Sequence, residues 1–196
     1  MRPLLLAAAL AATALAVSCS PATPAAEAVK EAEVTAAPDP AAAEKQKQAE
    51  QKADYEAVKS DDAKVDDLAD AGNGFALYHR GAARIASTEF TVQQGGFEDM
   101  EAAADAGNAE AQFWVGQRMA YGQDGYPWKP NSGLMMMEKA AGQGNMDAIL
   151  AVGLMYEQDG LMKNMEKAKQ WYQRGADLGS EKAKDALAKL GTPEDF

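Results

Sequence analysis

The chain has 196 residues, of which 47% are hydrophobic, and its formal net charge is −11. A chain of this length and composition can bury a substantial core, so one globular domain is expected. Nucleic-acid binding is not expected, because the acidic sequence has no basic stripe that could neutralise phosphates.

The first 18 residues have the pattern of an export signal. An early arginine is followed by an apolar run from Leu4 to Val17 and then by small residues. The run is short for a membrane span and a polar segment follows it, so cleavage of residues 1–18 is expected. The sequence Leu15 to Cys19 resembles a relaxed bacterial lipobox, which predicts acylation of the chain's one cysteine. The alternative is ordinary cleavage after a small residue.

Acylation of Cys19 would hold the protein on a membrane from the periplasmic side of a Gram-negative envelope, with the outer membrane as the expected location. Residues 19–43 are rich in alanine and acidic residues and include four prolines, which predicts a disordered linker without a regular helix. Residues 44–60 are strong helix formers whose sizeable apolar side chains are Tyr55 and Val58. They predict a solvated helix or a helix that docks by its end.

Residues 61–190 contain an internal repeat. The segments ADAGNGFA, ADAGNAEA, AGQGNMDA and ADLGSEKA align without gaps, and their shared glycines are 35, 37 and 35 residues apart. These glycines are Gly72, Gly107, Gly144 and Gly179. A second series, five residues after an aligned alanine, is Gly81, Gly116 and Gly153. This period is typical of helical hairpin repeats, and the second series stands where a side chain would obstruct close helix packing.

Three hairpins and a closing helix follow from this alignment. They cover residues 73–107 (repeat 1), 108–144 (repeat 2), 145–179 (repeat 3) and 180–190, the last being a cap with a polar outer face. In repeat 1, the segment Ser87–Gly96, STEFTVQQGG, is expected to be a loop because it is the least helical part of the array, with β-branched or polar neighbours around Phe90 and Val92. In repeat 2, the linker GQDGYPWKPN contains two prolines and is expected to expose Tyr126 and Trp128.

Repeat 3 resembles the Sel-like repeat, a relative of the tetratricopeptide repeat. The family pattern is alanine, leucine-glycine, tyrosine, lysine-alanine, tryptophan-tyrosine and alanine with a final glycine. Its matches in repeat 3 are Ala148, Val152-Gly153, Tyr156, Lys167-Ala168, Trp171-Tyr172, Ala176 and Gly179. The other copies are looser, since Met136-Met137 and Met119 replace aromatic residues in repeat 2.

The resemblance implies an all-α, right-handed solenoid in which the first helix of each repeat lines a concave groove. It also implies a non-enzymatic scaffold that binds another envelope protein or a secreted protein, with an immunity or assembly factor as a specific form. Trp171 and Tyr172 would be framework residues. The alternative is an enzyme that acts on peptidoglycan or β-lactams, as assigned to some cysteine-rich relatives, although this chain lacks their disulfides.

Candidate site residues lie where the repeats differ from one another. His79 and Trp114 occupy aligned positions that hold Ala151 in repeat 3, so they are expected to face a partner together with Tyr126 and Trp128. For Trp114 the alternative is internal packing. His79 is the one histidine, and it lacks the partners that a metal site or a nucleophile triad needs.

Methionine is abundant, with ten residues. Soft-metal binding is one interpretation. The alignment favours core filling instead, because Met136 and Met137 stand in the places of a tryptophan and a tyrosine. No cofactor or metal is therefore expected.

Overall fold

The computed structural model describes residues 40–158, 160 and 162–191. The signal at 1–18, Cys19 and the linker up to residue 39 lie outside the described residues. Within the described part, the chain forms nine α-helices and no strand. The helices are α1 (Pro40–Val58), α2 (Asp62–Asp70), α3 (Gly74–Ile85), α4 (Phe90–Asp105), α5 (Ala109–Tyr121), α6 (Pro130–Gly142), α7 (Met146–Glu157), α8 (Met165–Asp177) and α9 (Glu181–Leu190). The prediction of an all-α solenoid of hairpins is confirmed.

The aligned glycine and asparagine explain how one hairpin passes into the next. The four aligned glycines, Gly72, Gly107, Gly144 and Gly179, each have a positive φ between 82° and 94°, a backbone conformation that favours glycine. The next residue caps the following helix with its side chain. Asn108 and Asn145, for example, each accept a hydrogen bond of 2.8 Å from the backbone N–H three residues later. The repeated sequence motif is therefore a helix stop followed at once by a helix start.

The second glycine series lies at the helix crossings. A Cβ on Gly116 would approach the backbone oxygen of Gly133 to 2.9 Å, so α5 and α6 pack with their backbones close together. A Cβ on Gly81 would lie 3.0 Å from the backbone oxygen of Gly96, at the crossing of α3 and α4. In repeat 3 the space beside Gly153 is filled by the ring of Tyr172.

The loop prediction for Ser87–Gly96 is wrong from residue 90 onwards, where α4 begins. The Ser87 hydroxyl accepts a hydrogen bond of 3.1 Å from the Glu89 backbone N–H. The Gln93 side chain donates a hydrogen bond of 2.6 Å to the Ser87 carbonyl. These bonds order the start of the helix. Gly96, which resembled a helix breaker in the sequence, is needed because a Cβ there would lie 2.8 Å from the Ile85 backbone nitrogen.

Helix α1 also begins earlier than residue 44, because Pro40 is its first residue. A proline is tolerated in the first helical turn, since its missing N–H would have no partner there. None of the residues of α1 is buried. The helix is held by a hydrogen bond of 2.8 Å from Gln48 Nε2 to the Ala106 carbonyl and another of 2.8 Å from Asn73 Nδ2 to the Gln51 carbonyl. Tyr55 and Val58 pack against the core at its other end.

The core consists of two apolar clusters. One is centred on repeat 1 and includes Val65, Met100 and Val115. The other is centred on repeat 3 and includes Ile149 and Tyr172. In repeat 2, Met137 is fully buried at the position that Tyr172 holds in repeat 3. Met137 therefore fills core space.

Repeat 1 contains a buried ionic cluster. Asp99 Oδ1 accepts a hydrogen bond of 2.8 Å from Arg80 Nη2. Its Oδ2 accepts two hydrogen bonds, one of 3.0 Å from Arg80 Nε and one of 2.8 Å from Arg84 Nη1. The exposed fraction is 7% for the Asp99 side chain and 13% for that of Arg80. Arg80 Nη1 is also bonded to the exposed Asp70 at 2.6 Å. The cluster is saturated with charge-assisted hydrogen bonds, as buried charges require.

Candidate functional site

The loop between α5 and α6, Gly122–Lys129, has a defined conformation. Gly122, Asp124 and Gly125 all have a positive φ, so the chain turns sharply there. The Lys129 N–H donates a hydrogen bond of 2.8 Å to the Met119 carbonyl and closes the loop. Arg118 Nε lies 2.8 Å from Asp124 Oδ2, in an ion pair whose angle does not satisfy a hydrogen bond. The loop therefore presents its aromatic residues from a fixed backbone.

Trp128 is the most exposed aromatic residue of this loop, with 73% of its surface accessible. Together with Tyr121, Pro130, Met155 and Met162 it lines a cavity of about 330 Å³, which we call the Trp128 groove. Tyr121 is 49% exposed. Two large aromatic side chains and two methionines thus line one groove between repeats 2 and 3, together with the exposed Gln158.

Trp114 is half-buried and has several side-chain neighbours. Its ring centroid lies 5.7 Å from that of Phe97 and 6.2 Å from that of Tyr126. The Arg118 guanidinium carbon stacks 3.3 Å from the Trp114 ring centroid, in a cation–π contact. Much of the Trp114 ring surface is therefore in contact with other side chains of the protein. Of the two alternatives for Trp114, partner contact and internal packing, these contacts favour internal packing.

Tyr126 forms part of a second cavity, of about 260 Å³, whose lining residues differ from those of the Trp128 groove. We call it the Tyr126 cavity. Its lining residues are Glu101, Ala104, Asp105, Val115, Met119, Tyr126, Pro127 and Met136. Burial raises the pKa of the Tyr126 hydroxyl well above its ordinary value, and the negative charge of Glu101 raises it further. The hydroxyl oxygen is shielded from solvent and has no partner in hydrogen-bond geometry among the described residues.

His79 lies in a different place. It is exposed, and its ring centroid is 5.7 Å from that of Tyr55 in α1. The cavity beside His79 has a volume of about 340 Å³ and is lined by carboxylates, arginines and apolar residues. No serine, threonine or cysteine is among the described residues that line it. Within the part of the chain that the structure describes, no group of three or more His, Cys, Asp or Glu side chains could hold a metal ion.

Known structures share this architecture. No family model matches the chain, and no curated protein matches it. A Sel1 repeat protein from Oxalobacter formigenes is 26% identical in sequence, and the match covers 65% of this chain and 96% of that one with a TM-score of 0.59. The chain has the Sel-like repeat fold. The antigen c5321 from uropathogenic Escherichia coli, which displays the same fold, is 23% identical over 68% of this chain, with a TM-score of 0.56.

The match spans 30% of the length of the E. coli antigen, so the Sel-like repeat domain described here corresponds to a part of that protein. Among the described residues, no helix has both the length and the apolar character needed to cross a membrane.

The Sel-like repeat fold brings some of the predicted site residues together and separates others. Trp114 and Tyr126 are in contact, whereas Trp128 lines the Trp128 groove and His79 lines a separate cavity. Reasoning from the sequence missed Tyr121 and the methionines of the Trp128 groove. Tyr121 is the last residue of α5, next to a glycine and a proline-rich linker, and that position is the signal that could have identified it as exposed.

Sequence reasoning also missed the α4 side of the Tyr126 cavity. Phe97 and Glu101 lie on α4, and the first half of that helix was expected to be a loop. With the start of α4 unrecognised, the repeat alignment did not indicate that these side chains meet the loop of repeat 2.

Proposed function

We propose that this protein is a non-catalytic scaffold of the bacterial cell envelope, and that its Sel-like repeats bind another protein through the Trp128 groove. The supporting observation is the exposure of Trp128, of which 73% is accessible, beside Tyr121 and two methionines. Large apolar side chains that are exposed beside one another are costly to leave in water and are typical of interaction sites. Tryptophan and tyrosine are enriched among the residues that dominate binding energy.

The fixed backbone of the Gly122–Lys129 loop supports the same interpretation. Because the Lys129 N–H and the Arg118–Asp124 ion pair hold the loop, less conformational entropy is lost when a partner covers Trp128. The partner is an envelope or secreted protein, and neutralisation of a toxin or support of an assembly are specific forms of this role.

The envelope location rests on the sequence around Cys19, which lies outside the described residues. Replacement of Cys19 by serine should prevent acylation and move the protein from the membrane fraction to the soluble periplasmic fraction. Fractionation of cells together with labelling by a radioactive fatty acid measures both effects. Unchanged membrane association and labelling of the Cys19→Ser protein would exclude the lipid anchor.

The interaction is tested by photo-crosslinking in cells. A benzoylphenylalanine residue at position 121 should form a discrete crosslink to one partner, whereas the same residue at position 178 should not. Leu178 is a suitable control because it is also exposed, at 54%, but does not line the Trp128 groove.

The captured partner is then purified and its affinity is measured by calorimetry. Trp128→Ala should weaken binding by about 2 kcal/mol, or roughly thirtyfold, because the tryptophan contributes a large apolar area. Leu178→Ala should change the affinity by less than about twofold. Equal affinities of the Trp128→Ala protein and the wild type would refute the proposed surface.

Nothing specific supports the alternative of a peptidoglycan or β-lactam hydrolase. His79 contacts Tyr55, and the described residues that line the cavity beside His79 include no serine, threonine or cysteine. A turnover assay with the purified protein and with His79→Ala remains the direct test, and activity that disappears in this variant would contradict the scaffold role.

A further inference from the structure

The walls and the opening of the Tyr126 cavity differ in chemistry. Val115 is buried, and Met119, Met136 and Tyr126 are half-buried, so the inner walls are aliphatic, thioether and aromatic. A volume of about 260 Å³ is below the range of roughly 300–1,000 Å³ that is typical of pockets for drug-sized ligands. The cavity is therefore suited to a single elongated side chain.

The opening of the cavity is acidic. Glu101 and Asp105, one helical turn apart near the end of α4, are its charged lining residues, and both are exposed to solvent. Their carboxylates accept hydrogen bonds and attract a cation at the surface, while the walls behind them are apolar. Since exposed carboxylates remain hydrated, this arrangement imposes no desolvation cost on the unbound protein.

Neither of these two carboxylates belongs to an ion pair among the residues that the structure describes. Arg118, the cation that influences Tyr126, is itself paired with Asp124 at 2.8 Å and stacked on Trp114. The formal net charge of −11 adds a long-range attraction for a positively charged partner.

We propose that the Tyr126 cavity binds a lysine or arginine side chain of the partner protein. The aliphatic stem packs against Met119, Met136 and the Tyr126 ring, and the cationic head reaches Glu101 and Asp105 at the opening. Lysine and arginine are the natural residues for such a site, because they bury their methylene stems and keep the charged end at a polar surface.

This inference rests on the proposed function and specifies the partner further. Pro127 lines the Tyr126 cavity and the next residue, Trp128, lines the Trp128 groove, so the two sites flank one short loop. A segment that crosses this loop places an apolar side chain in the Trp128 groove and a basic side chain in the Tyr126 cavity. The partner segment is thus apolar and basic rather than apolar alone.

The test uses n-pentylammonium as a probe for the lysine side chain and 1-hexanol as its neutral counterpart. Methionine methyl groups labelled with ¹³C report on both sites, because Met119 and Met136 line the Tyr126 cavity whereas Met155 and Met162 line the Trp128 groove. NMR titration should show n-pentylammonium shifting the Met119 and Met136 signals with at least tenfold higher affinity than 1-hexanol. The Met155 and Met162 signals should not move.

The control variant combines Glu101→Gln with Asp105→Asn, two exposed positions where the substitutions keep size and hydrogen-bonding capacity. It should reduce the affinity for n-pentylammonium at least tenfold and leave that for 1-hexanol unchanged. Equal affinities of the two probes for the wild-type protein, or unchanged ammonium binding by the double variant, would overturn the inference.

The outcomes separate this inference from the proposed function. If Trp128→Ala weakens binding of the captured partner but Glu101→Gln with Asp105→Asn does not, the Tyr126 cavity is not part of the interface and this inference alone fails. If partner binding survives Trp128→Ala, the proposed function fails, whatever the probes do at the Tyr126 cavity.

Discussion

Repeats 1 and 3 have the same backbone plan and different interiors. Both begin with an asparagine cap and follow a glycine with a positive φ. At three aligned positions, however, repeat 1 has charged residues where repeat 3 has apolar and aromatic ones. The aligned pairs are Arg80 with Val152, Arg84 with Tyr156, and Asp99 with Trp171.

The comparison shows which features of the repeat determine the hairpin. The caps and the helix crossings are present in both repeats, so they suffice to position the two helices. Beside the apolar cluster that each repeat contains, these three positions can be apolar, as in repeat 3, or ionic, as in repeat 1, provided that each buried charge is paired. An ionic cluster adds little net stability but is costly to break, because loss of Asp99 removes the buried partner of the Arg80 guanidinium and leaves it only exposed carboxylates.

The largest expected effect is that of Asp99→Ala. It removes the carboxylate that pairs with Arg80 and Arg84, and should lower the free energy of unfolding by about 3 kcal/mol. Urea denaturation measures the change. The matched control is Asp66→Ala, because Asp66 lies 4.0 Å from the same Arg80 but is 59% exposed. It should cost less than about 1 kcal/mol, and similar losses in the two variants would mean that the cluster is not a distinct core.

Transplanting the interior of repeat 3 into repeat 1 extends this test. Arg80→Val, Arg84→Tyr and Asp99→Trp together should recover most of the stability that Asp99→Ala loses, since apolar replacement of a whole buried ionic cluster is often neutral or stabilising. A triple variant less stable than Asp99→Ala would indicate that the frame of repeat 1 tolerates only its ionic interior.

An intermediate effect is expected at the helix crossing of repeat 1. Gly96→Ala places a Cβ 2.8 Å from the Ile85 backbone nitrogen and 2.9 Å from the Gly81 carbonyl oxygen. Because backbone atoms cannot move aside easily, the variant should lose about 1–3 kcal/mol. Gly95→Ala is the control, since its nearest neighbour would be 3.6 Å away, and it should gain about 0.5–1 kcal/mol from better helix propensity. Thermal or urea unfolding distinguishes the two, and equal effects would argue against a tight crossing.

The smallest effect concerns the hydroxyl of Tyr172 in repeat 3, which aligns with Met100 in repeat 1. Burial, and then the hydrogen bond of 2.7 Å to Glu157, raise the pKa of Tyr172 above its ordinary value of about 10. As the pH rises above that value, the unfolded chain releases this proton while the folded protein retains it, so stability falls. Between about pH 9 and about pH 11, the free energy of unfolding should fall by about 1.4 kcal/mol less in Tyr172→Phe than in the wild type.

The aligned Met100 of repeat 1 provides the control for this pH dependence. Met100→Leu should leave the alkaline decline as steep as in the wild type, because no ionisable group is removed. Urea unfolding at several pH values measures both variants. A decline that is equally steep in Tyr172→Phe and the wild type would show that Tyr172 keeps its proton no better in the folded state than in the unfolded one.

The repeat frame could be predicted from the sequence because its determinants are local. The glycine with a positive φ, the asparagine cap and the aligned alanine lie within a few residues of one another and recur at a fixed period. The start of α4 could not be predicted in this way. Gly95 and Gly96 weaken a helix locally, and the requirement for Gly96 appears only when Gly81 and Ile85 pack against it.

For the site, the prediction that the loop of repeat 2 exposes Trp128 is confirmed, but the same prediction for Tyr126 is wrong, because that ring is half-buried and its hydroxyl is shielded from solvent. The sequence could not identify the surroundings of Trp128, because Tyr121, Met155 and Met162 come from different helices and from the segment that follows α7. The alignment places His79 and Trp114 at equivalent positions, but it does not predict their surroundings. His79 lies beside Tyr55 of α1, whereas Trp114 lies beside Phe97 of α4. Equivalent positions in a repeat have equivalent backbones and different environments.

The attachment of α1 determines how mechanical load enters the domain. Any tension on the N-terminal segment reaches the repeats through α1, whose contacts include the hydrogen bonds of Gln48 and Gln51 to the inter-repeat turns and the packing of Tyr55 and Val58. Since no residue of α1 is buried, these few contacts bear the force before the two apolar clusters do. Under load, α1 should therefore peel away as a spacer of up to 19 residues while the hairpins stay folded.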